Sequence, residues 1–159
     1  MKKTVMFMLL SLVVLAACKK EPEKTPEEVY SERLDGNWNV TKLDYSAVVT
    51  TPFGPIPITG TANNSGTIAF NNAGKTANYN IAFLPSLAGL PVQVDSVKLI
   101  GNGTYSNTTT NITLTESGGQ VLTFNVVANE ANLQILRTSI NYDLDTVMVP
   151  VTIEMRLAR

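Results

Sequence analysis

Few side chains in this sequence could perform chemistry, and Cys18 is the most informative of them. It is the only cysteine, and the chain contains no histidine. An internal disulfide, a Ser-His-Asp triad and histidine-ligated metal sites are therefore excluded. What remains is a single thiol that can be alkylated. The sequence thus indicates a modification site, with no catalytic residues, no cofactor and no enzymatic activity.

Cys18 ends a segment with the order of a bacterial lipoprotein signal. Two lysines precede an apolar run over residues 5–15, and two alanines stand immediately before the cysteine. A run of this length suits a signal peptide, whereas a membrane-spanning helix needs about 20 apolar residues. The resemblance implies cleavage of residues 1–17, a diacylglyceryl thioether on Cys18 and an N-linked acyl chain such as palmitate. Two or more acyl chains give stable membrane attachment.

The residues after the cysteine bear on location. Lys19 stands where the inner-membrane retention signal of enteric bacteria has an aspartate, so the resemblance implies the outer membrane. Lysines followed by acids also resemble the surface-export tags of some Gram-negative lipoproteins, whereas an ordinary tether would leave the protein on the periplasmic face. Residues 18–25 form this tether, and the seven residues from Cys18 to Lys24 extend at most roughly 25 Å.

The charge balance argues against a nucleic-acid partner. The chain has 12 Lys and Arg and 13 Asp and Glu residues, and Lys2 and Lys3 are the only charged residues of the signal. The mature chain is therefore mildly acidic, and nucleic-acid surfaces are strongly basic.

A short helix is predicted at the start of the folded domain, which we place at residues 26–159. Thr25 and Glu28 form the pattern of a capping box, and Pro26 suits the first helical position. Asp35 and Gly36 predict the end of the helix, because glycine tolerates the left-handed conformation.

From Trp38 onward, apolar residues alternate with polar ones at the period of a β-strand. A change of phase after Val40 predicts a bulge near Thr41. About eight short strands joined by tight turns indicate an all-β domain, an antiparallel meander closed into a barrel, with a β-sandwich as the alternative. Pro150 should lie at an edge or bulge. The alternating sets are Trp38 and Val40, Leu43 to Val49, Ile68 and Phe70, Tyr79 to Phe83, Val92 and Val94, Val97 and Leu99, Ile112 and Leu114, Leu122 to Val126, Leu133 and Ile135, and Val147 to Leu157.

Gly36-Asn37-Trp38 resembles the glycine-x-tryptophan signature at the first strand of lipocalins, which also have a short helix just before it. The hairpin residues 103–106, 112–115 and 122–124 are similar to the central hairpins of bacterial lipocalin-like lipoproteins. The resemblance implies that a terminal arginine packs across Trp38, and Arg159 has the phase of the inward set of the last strand. We therefore expect a cation–π pair that closes the barrel.

Two unusually apolar segments, residues 51–58 and 84–91, are expected to be loops at the mouth of the barrel. They could line or cover a small hydrophobic ligand, contact a membrane or an envelope protein, or fold back and plug the barrel. The candidate residues are Phe53, Ile56, Ile58, Leu84, Leu87 and Leu90.

Two further sites are candidates for modification or metal binding. Ser96 and Thr146 each follow an aspartate and precede a valine, which resembles an O-glycosylation motif of some Gram-negative envelopes. Asp143 and Asp145 share a strand face, but the glycine and glutamate of an EF-hand are missing, so we expect no metal site.

These patterns lead to two functional hypotheses. The first is a lipid-anchored envelope lipoprotein with a lipocalin-like barrel that binds a small apolar ligand. The alternative is a non-enzymatic interaction or structural module of an outer-membrane assembly, with a barrel filled by its own side chains.

Overall fold

The computed structural model of this protein describes residues 23–85, 96–144 and 147–159, so Cys18 and the predicted cleavage site lie outside the described residues. Among the described residues, no helix has the length and apolar character needed to cross a membrane. Helix α1 spans Pro26–Leu34. Eight strands follow: β1 (Gly36–Thr51), β2 (Gly54–Asn71), β3 (Thr76–Phe83), β4 (Val97–Asn107), β5 (Asn111–Glu116), β6 (Val121–Glu130), β7 (Leu133–Leu144) and β8 (Val147–Ala158).

The strands form a closed antiparallel barrel in which each strand pairs with the next and β8 pairs with β1. The β1–β8 ladder runs from Asn39 opposite Ala158 to Ala47 opposite Val151. This closure confirms the predicted all-β barrel, and it makes the β-sandwich alternative wrong. The ladder stops where Val48 would next face Pro150, which has no backbone N–H to donate. Pro150 thus lies just beyond the paired part of that edge, as predicted.

The predicted bulge in β1 is confirmed, because the register shifts between Val40 and Lys42 in both ladders of that strand. The predicted inward face of β7 is wrong. Leu133 and Ile135 are only half-buried, whereas Gln134, Leu136 and Thr138 are buried. The pairing of β7 with β8 determines which residues of β7 face inward.

That pairing sets Leu136 opposite Met155 and Thr138 opposite Ile153, two of the most deeply buried residues of the last strand. The amide nitrogen of Gln134 is compensated by local bonds, whereas its oxygen has no partner among the described residues. Its Nε2 donates to the Asn129 side chain and to the Glu130 carbonyl, and buried polar groups need such partners.

Helix α1 forms as predicted and covers one end of the barrel. Its capping box is complete, since the Thr25 hydroxyl accepts from the Glu28 N–H while the Glu28 carboxylate accepts from the Thr25 N–H. These bonds lower the pKa of Glu28. Tyr30 and Leu34 are buried against the barrel. We call the end of the barrel that α1 covers the closed end. The turns between β1 and β2 and between β5 and β6 lie at the opposite end, which we call the open end.

Polar bonds fix α1 to the closed end. The Ser31 hydroxyl donates to the Asn107 side chain at 2.7 Å and accepts from Lys75 Nζ at 2.8 Å. The Asp35 carboxylate accepts from the N–H of Asn72, in the turn between β2 and β3, at 2.7 Å. Because these bonds reach both the β2–β3 turn and the end of β4, the helix is held in one position.

Trp38 and Arg159 complete the seal at the closed end. Trp38 is fully buried, and its Nε1 donates to the Leu34 carbonyl at 2.7 Å. The guanidinium carbon of Arg159 lies 4.1 Å from the centroid of the Trp38 ring, a cation–π distance. Arg159 also donates to the carbonyls of Arg33 and Asp35 at the end of α1. Helix, first strand and last strand therefore meet at one indole.

We expect Trp38→Ala to lower the free energy of unfolding by roughly 3–5 kcal/mol, because it opens a cavity in the most tightly packed part of the barrel. Phe53→Ala is the matched control, since Phe53 is fully exposed and surface changes usually stay within about 0.5 kcal/mol. Urea denaturation followed by circular dichroism measures both. Equal effects of the two substitutions would contradict the sealing role of Trp38.

Candidate functional site in the open half of the barrel

The side chains that point into the barrel are sealed at the closed end and partly accessible toward the open end. Trp38, Leu136, Met155 and Leu157 have no accessible surface. Toward the open end burial is mixed: Val49, Phe83, Val97 and Val149 are buried, whereas Ala47, Leu99, Ile140 and Tyr142 keep part of their surface accessible, although they pack against the same core. The interior is thus completely buried at the floor and accessible only in parts of the upper half.

One side of the barrel extends less far toward the open end, because β5 has only six residues. We call this side the low wall. The β4–β5 ladder begins at Gly103 opposite Glu116, so the first part of β4, Val97–Asn102, pairs only with β3 among the described strands. The β6–β7 ladder begins at Asn125 opposite Arg137. The upper part of β7 therefore pairs only with β8 in the described structure.

A cleft of about 480 Å³ lies at this low wall. Residues of β4, β6, β7 and β8 and of the turn before β6 line it, and the Thr138 hydroxyl donates to the Thr123 carbonyl at 2.9 Å just where the β6–β7 ladder stops. Its inward-facing lining is apolar apart from one phenol, whereas its rim is mixed: Val121 and Met148 are exposed there beside the polar residues Lys98, Gln120, Ser139 and Asn141. The inward-facing lining residues are Val97, Leu99, Leu122, Ile140 and Tyr142.

Two inward-facing tyrosines lie along the wall of the barrel. Tyr45 pairs across the β1–β2 ladder with Gly60, and a Cβ at Gly60 would collide with the phenol of Tyr45. The Tyr45 ring continues to Phe83 on β3, where the ring centroids are 5.2 Å apart in a stacked arrangement. Because Gly60 has no side chain, the Tyr45 ring can pack against the sheet at that position.

The second tyrosine forms a polar pair inside the barrel. Tyr79 pairs with Gly101 across the β3–β4 ladder, and its phenol oxygen lies where a Cβ of Gly101 would be. The Tyr79 hydroxyl donates to Glu116 Oε1. Glu116 has the inward phase of Ile112 and Leu114 at the end of β5. A carboxylate and a phenol are thus brought together on an apolar inner surface.

Tyr79 belongs to one of the predicted alternating sets, whereas the predicted set Ile112 and Leu114 stopped short of Glu116. A signal was present, since Glu116 continues the period-two alternation of Ile112 and Leu114. The turn residues Ser117, Gly118 and Gly119 concealed it, because such residues normally mark the end of a strand.

The floor beneath the open half contains two buried phenols, Tyr30 and Tyr105. Their hydroxyl oxygens have no hydrogen-bond partner among the described residues. Burial, with a smaller contribution from Asp35, raises the pKa of Tyr105 to about 12, and burial also raises the pKa of Tyr30. Both phenols therefore stay neutral at physiological pH, and the floor carries no charge from them.

The predicted apolar loop at 51–58 is wrong as a loop. It is the tip of the β1–β2 hairpin, with Phe53 fully exposed in the turn. Pro55 and Pro57 are accommodated because β2 pairs with β3 only from Gly66 onward, so their missing N–H groups face no strand among the described residues. Ile56 is half-buried and Ile58 is buried. Phe53 does not plug the barrel.

The other predicted site residues are only partly described. Leu84 is exposed after β3, and Leu87 and Leu90 lie outside the described residues. Ser96 is exposed just before β4, whereas Thr146 lies outside the described residues, so glycosylation at both stays a prediction. Asp143 lies in β7 and Asp145 is not described. Among the described residues, no group of three potential metal ligands occurs.

The chain matches no family model and no curated protein. One similar solved structure is the bovine lipocalin allergen Bos d 2, with 14% sequence identity and a TM-score of 0.37. The match covers 81% of this chain and 74% of the allergen chain. The eight-stranded closed barrel is established by the strand ladders themselves.

Proposed function

We propose that this protein is a non-enzymatic lipoprotein of the outer membrane, anchored through lipid on Cys18, whose lipocalin-like barrel binds a small apolar ligand. The observation that carries the proposal is the cleft of about 480 Å³ at the low wall, which reaches inward-facing apolar residues. An eight-stranded barrel leaves room for its own side chains or for one small ligand.

The cleft at the low wall has the character of a ligand site. Its volume of about 480 Å³ falls within the usual range of ligand pockets, about 300–1,000 Å³. Such pockets are mostly apolar, with a few polar groups that orient the ligand. Leu99, Leu122 and Ile140 supply the apolar surface, and polar groups stand around it: Lys98, Gln120, Ser139, Asn141 and Tyr142.

The position of α1 supports an orientation for the anchored protein. The tether leads into α1 at the closed end, and Lys24 forms a 2.6 Å ion pair with Glu32 on that helix. The tether extends at most roughly 25 Å. We infer that the closed end faces the anchoring membrane and that the open half faces the aqueous phase.

Ligand binding is tested with the neutral fluorophore N-phenyl-1-naphthylamine and with lipids extracted from the host. We expect saturable binding, and a bound ligand at 100 times its Kd should stabilise the fold by about 2.7 kcal/mol. Ile140→Trp places a large ring in the cleft and should weaken binding about tenfold or more, because packed side chains tolerate little extra volume. Fluorescence titration and thermal unfolding provide the two measurements.

The matched control is Val127→Trp, which adds the same ring at an exposed position of β6 near the closed end. It should bind like the wild type. Absence of saturable binding in the wild type, with no stabilisation by any lipid fraction, would refute the ligand-binding proposal.

The anchor is tested by Cys18→Ser in the native host. Wild-type protein should be in the outer-membrane fraction, with an intact mass equal to residues 18–159 plus lipid, because acyl chains hold it there. The serine variant should lose the lipid mass and leave that fraction. An intact N-terminus on the wild-type protein would contradict the lipoprotein assignment, and any additional hexose mass would report the predicted glycosylation.

A second candidate function, an interaction module, is favoured by the β1–β2 hairpin. Residues 48–57 extend past the last rung of the β1–β8 ladder, and Val48 and Phe53 are exposed on this extension. Apolar side chains on an exposed projection are typical of a binding surface for another protein.

A photo-crosslinking amino acid at position 53 should then capture one envelope protein in cells, and Val48→Ser should abolish the crosslink. The control is the same crosslinker at Asn132, an exposed residue between β6 and β7 at the closed end. Identical products from both positions would argue against a specific partner at the hairpin.

A further inference from the structure

The Tyr79–Glu116 pair is unusual because it lies on the inner surface of the barrel. Tyr79 is buried, and the carboxylate oxygen of Glu116 lies within 3.1 Å of the place where a Cβ of Gly101 would be. Gly101 has the inward phase of Val97 and Tyr105 on β4, both of which are buried. The absence of a side chain at Gly101 thus creates the space that the pair occupies.

The pair offers hydrogen-bond acceptors and no free donor. A phenol has one proton, and Tyr79 donates it to Glu116, so its oxygen can only accept from another molecule. A carboxylate has about four acceptor positions, of which Tyr79 uses one. The ion pairs among the described residues join Lys24 to Glu32, Lys42 to Asp44 and Arg137 to Glu154, so none of them neutralises Glu116.

The pair and the cleft share one continuous inner surface. Leu99 lines the cleft and lies two residues before Gly101 on the same face of β4, roughly 7 Å away at the rise of a strand. Leu122, also in the cleft, pairs with Leu114, which precedes Glu116 by two residues on the inner face of β5. Neither Tyr79 nor Glu116 lines the cleft itself, so a ligand that reaches the pair must extend along this inner surface from Leu99.

We infer that the ligand is a single-chain amphiphile with a hydrogen-bond-donating head group, a long-chain alcohol or amine. Its chain occupies the cleft beside Leu99 and Leu122, and its head donates to Glu116 and Tyr79. At the pair, the carboxylate of a fatty acid is disfavoured, because it would meet the like charge of Glu116 and acceptors only. Lys98, a cation of the cleft lining, is exposed on the outward phase of β4 and lies at the rim. This inference rests on the proposed ligand-binding function, and it adds the chemical class of the ligand and its direction in the site.

The test compares three ligands with the same twelve-carbon chain: dodecylamine, 1-dodecanol and laurate. Each displaces the naphthylamine probe from the wild type and from Glu116→Gln at neutral pH. The wild type should bind the amine and the alcohol about tenfold or more tightly than laurate, the ratio expected for one hydrogen bond to a charged group. The glutamine variant keeps the shape but has a donor, so its preference should fall to about threefold or less.

Glu130→Gln is the control, because Glu130 is exposed at the closed end of β6; it should keep the wild-type preference. The wild-type comparison alone tests the inference, even where a variant folds poorly. Laurate binding as tightly as the amine, or an unchanged preference in a folded Glu116→Gln variant, would overturn it while leaving ligand binding intact. Failure of the wild type to bind the probe or any of the three chains would instead overturn the proposed function.

Discussion

The ladder between β1 and β8 is the interaction on which the rest of the structure depends. An eight-stranded meander that stayed open would expose two strand edges, and closure removes both. The same ladder determines the floor. It ends with Ala158 opposite Asn39, so the following residue, Arg159, arrives at the Trp38 ring and at the last carbonyls of α1. Wall and floor are therefore closed by one pairing.

The strands differ in length, and these differences appear at the open end. β1 has 16 residues and β5 has six, which correspond to roughly 53 Å and 20 Å at a rise of about 3.3 Å per residue. The excess of β1 and β2 becomes a projecting hairpin, and the deficit of β5 becomes the low wall. Prolines at 55 and 57 lie beyond the β2–β3 ladder and Pro150 lies beyond the β1–β8 ladder, although each is paired on the other side of its strand. The unpaired edges therefore offer fewer N–H groups for pairing with another chain.

The sequence was most informative where local patterns and the fold agree. The period-two alternation predicted the strands, the bulge after Val40 and the inward phase of Arg159, because each depends on residues close together in one strand. It failed for β7, where Leu133 and Ile135 suggest one face and the long pairing with β8 imposes the other. A local pattern of two residues cannot outweigh a register set by the whole length of a neighbouring strand.

The upper half of the barrel was predicted less well for a related reason. The segment at 51–58 has the composition of a loop. Its two prolines fit in a strand because β2 is paired there with β1 on one side and with no described strand on the other. Glu116 was missed because its role depends on Tyr79 and Gly101, which lie on two other strands. Contacts across strands follow from register, and register is not visible in any single segment.

The same cross-strand relations decide whether the upper half is filled or open. Tyr45 and Tyr79 are large enough to fill an eight-stranded barrel, yet each is paired with a glycine on the next strand. Because Gly60 and Gly101 have no Cβ, the rings rest against the wall, one reaching Phe83 and the other Glu116. At the closed end, Trp38 instead donates its indole N–H to the Leu34 carbonyl of α1. Aromatic rings thus seal one half of the barrel and line the other, and the difference is set by the residue that each ring faces.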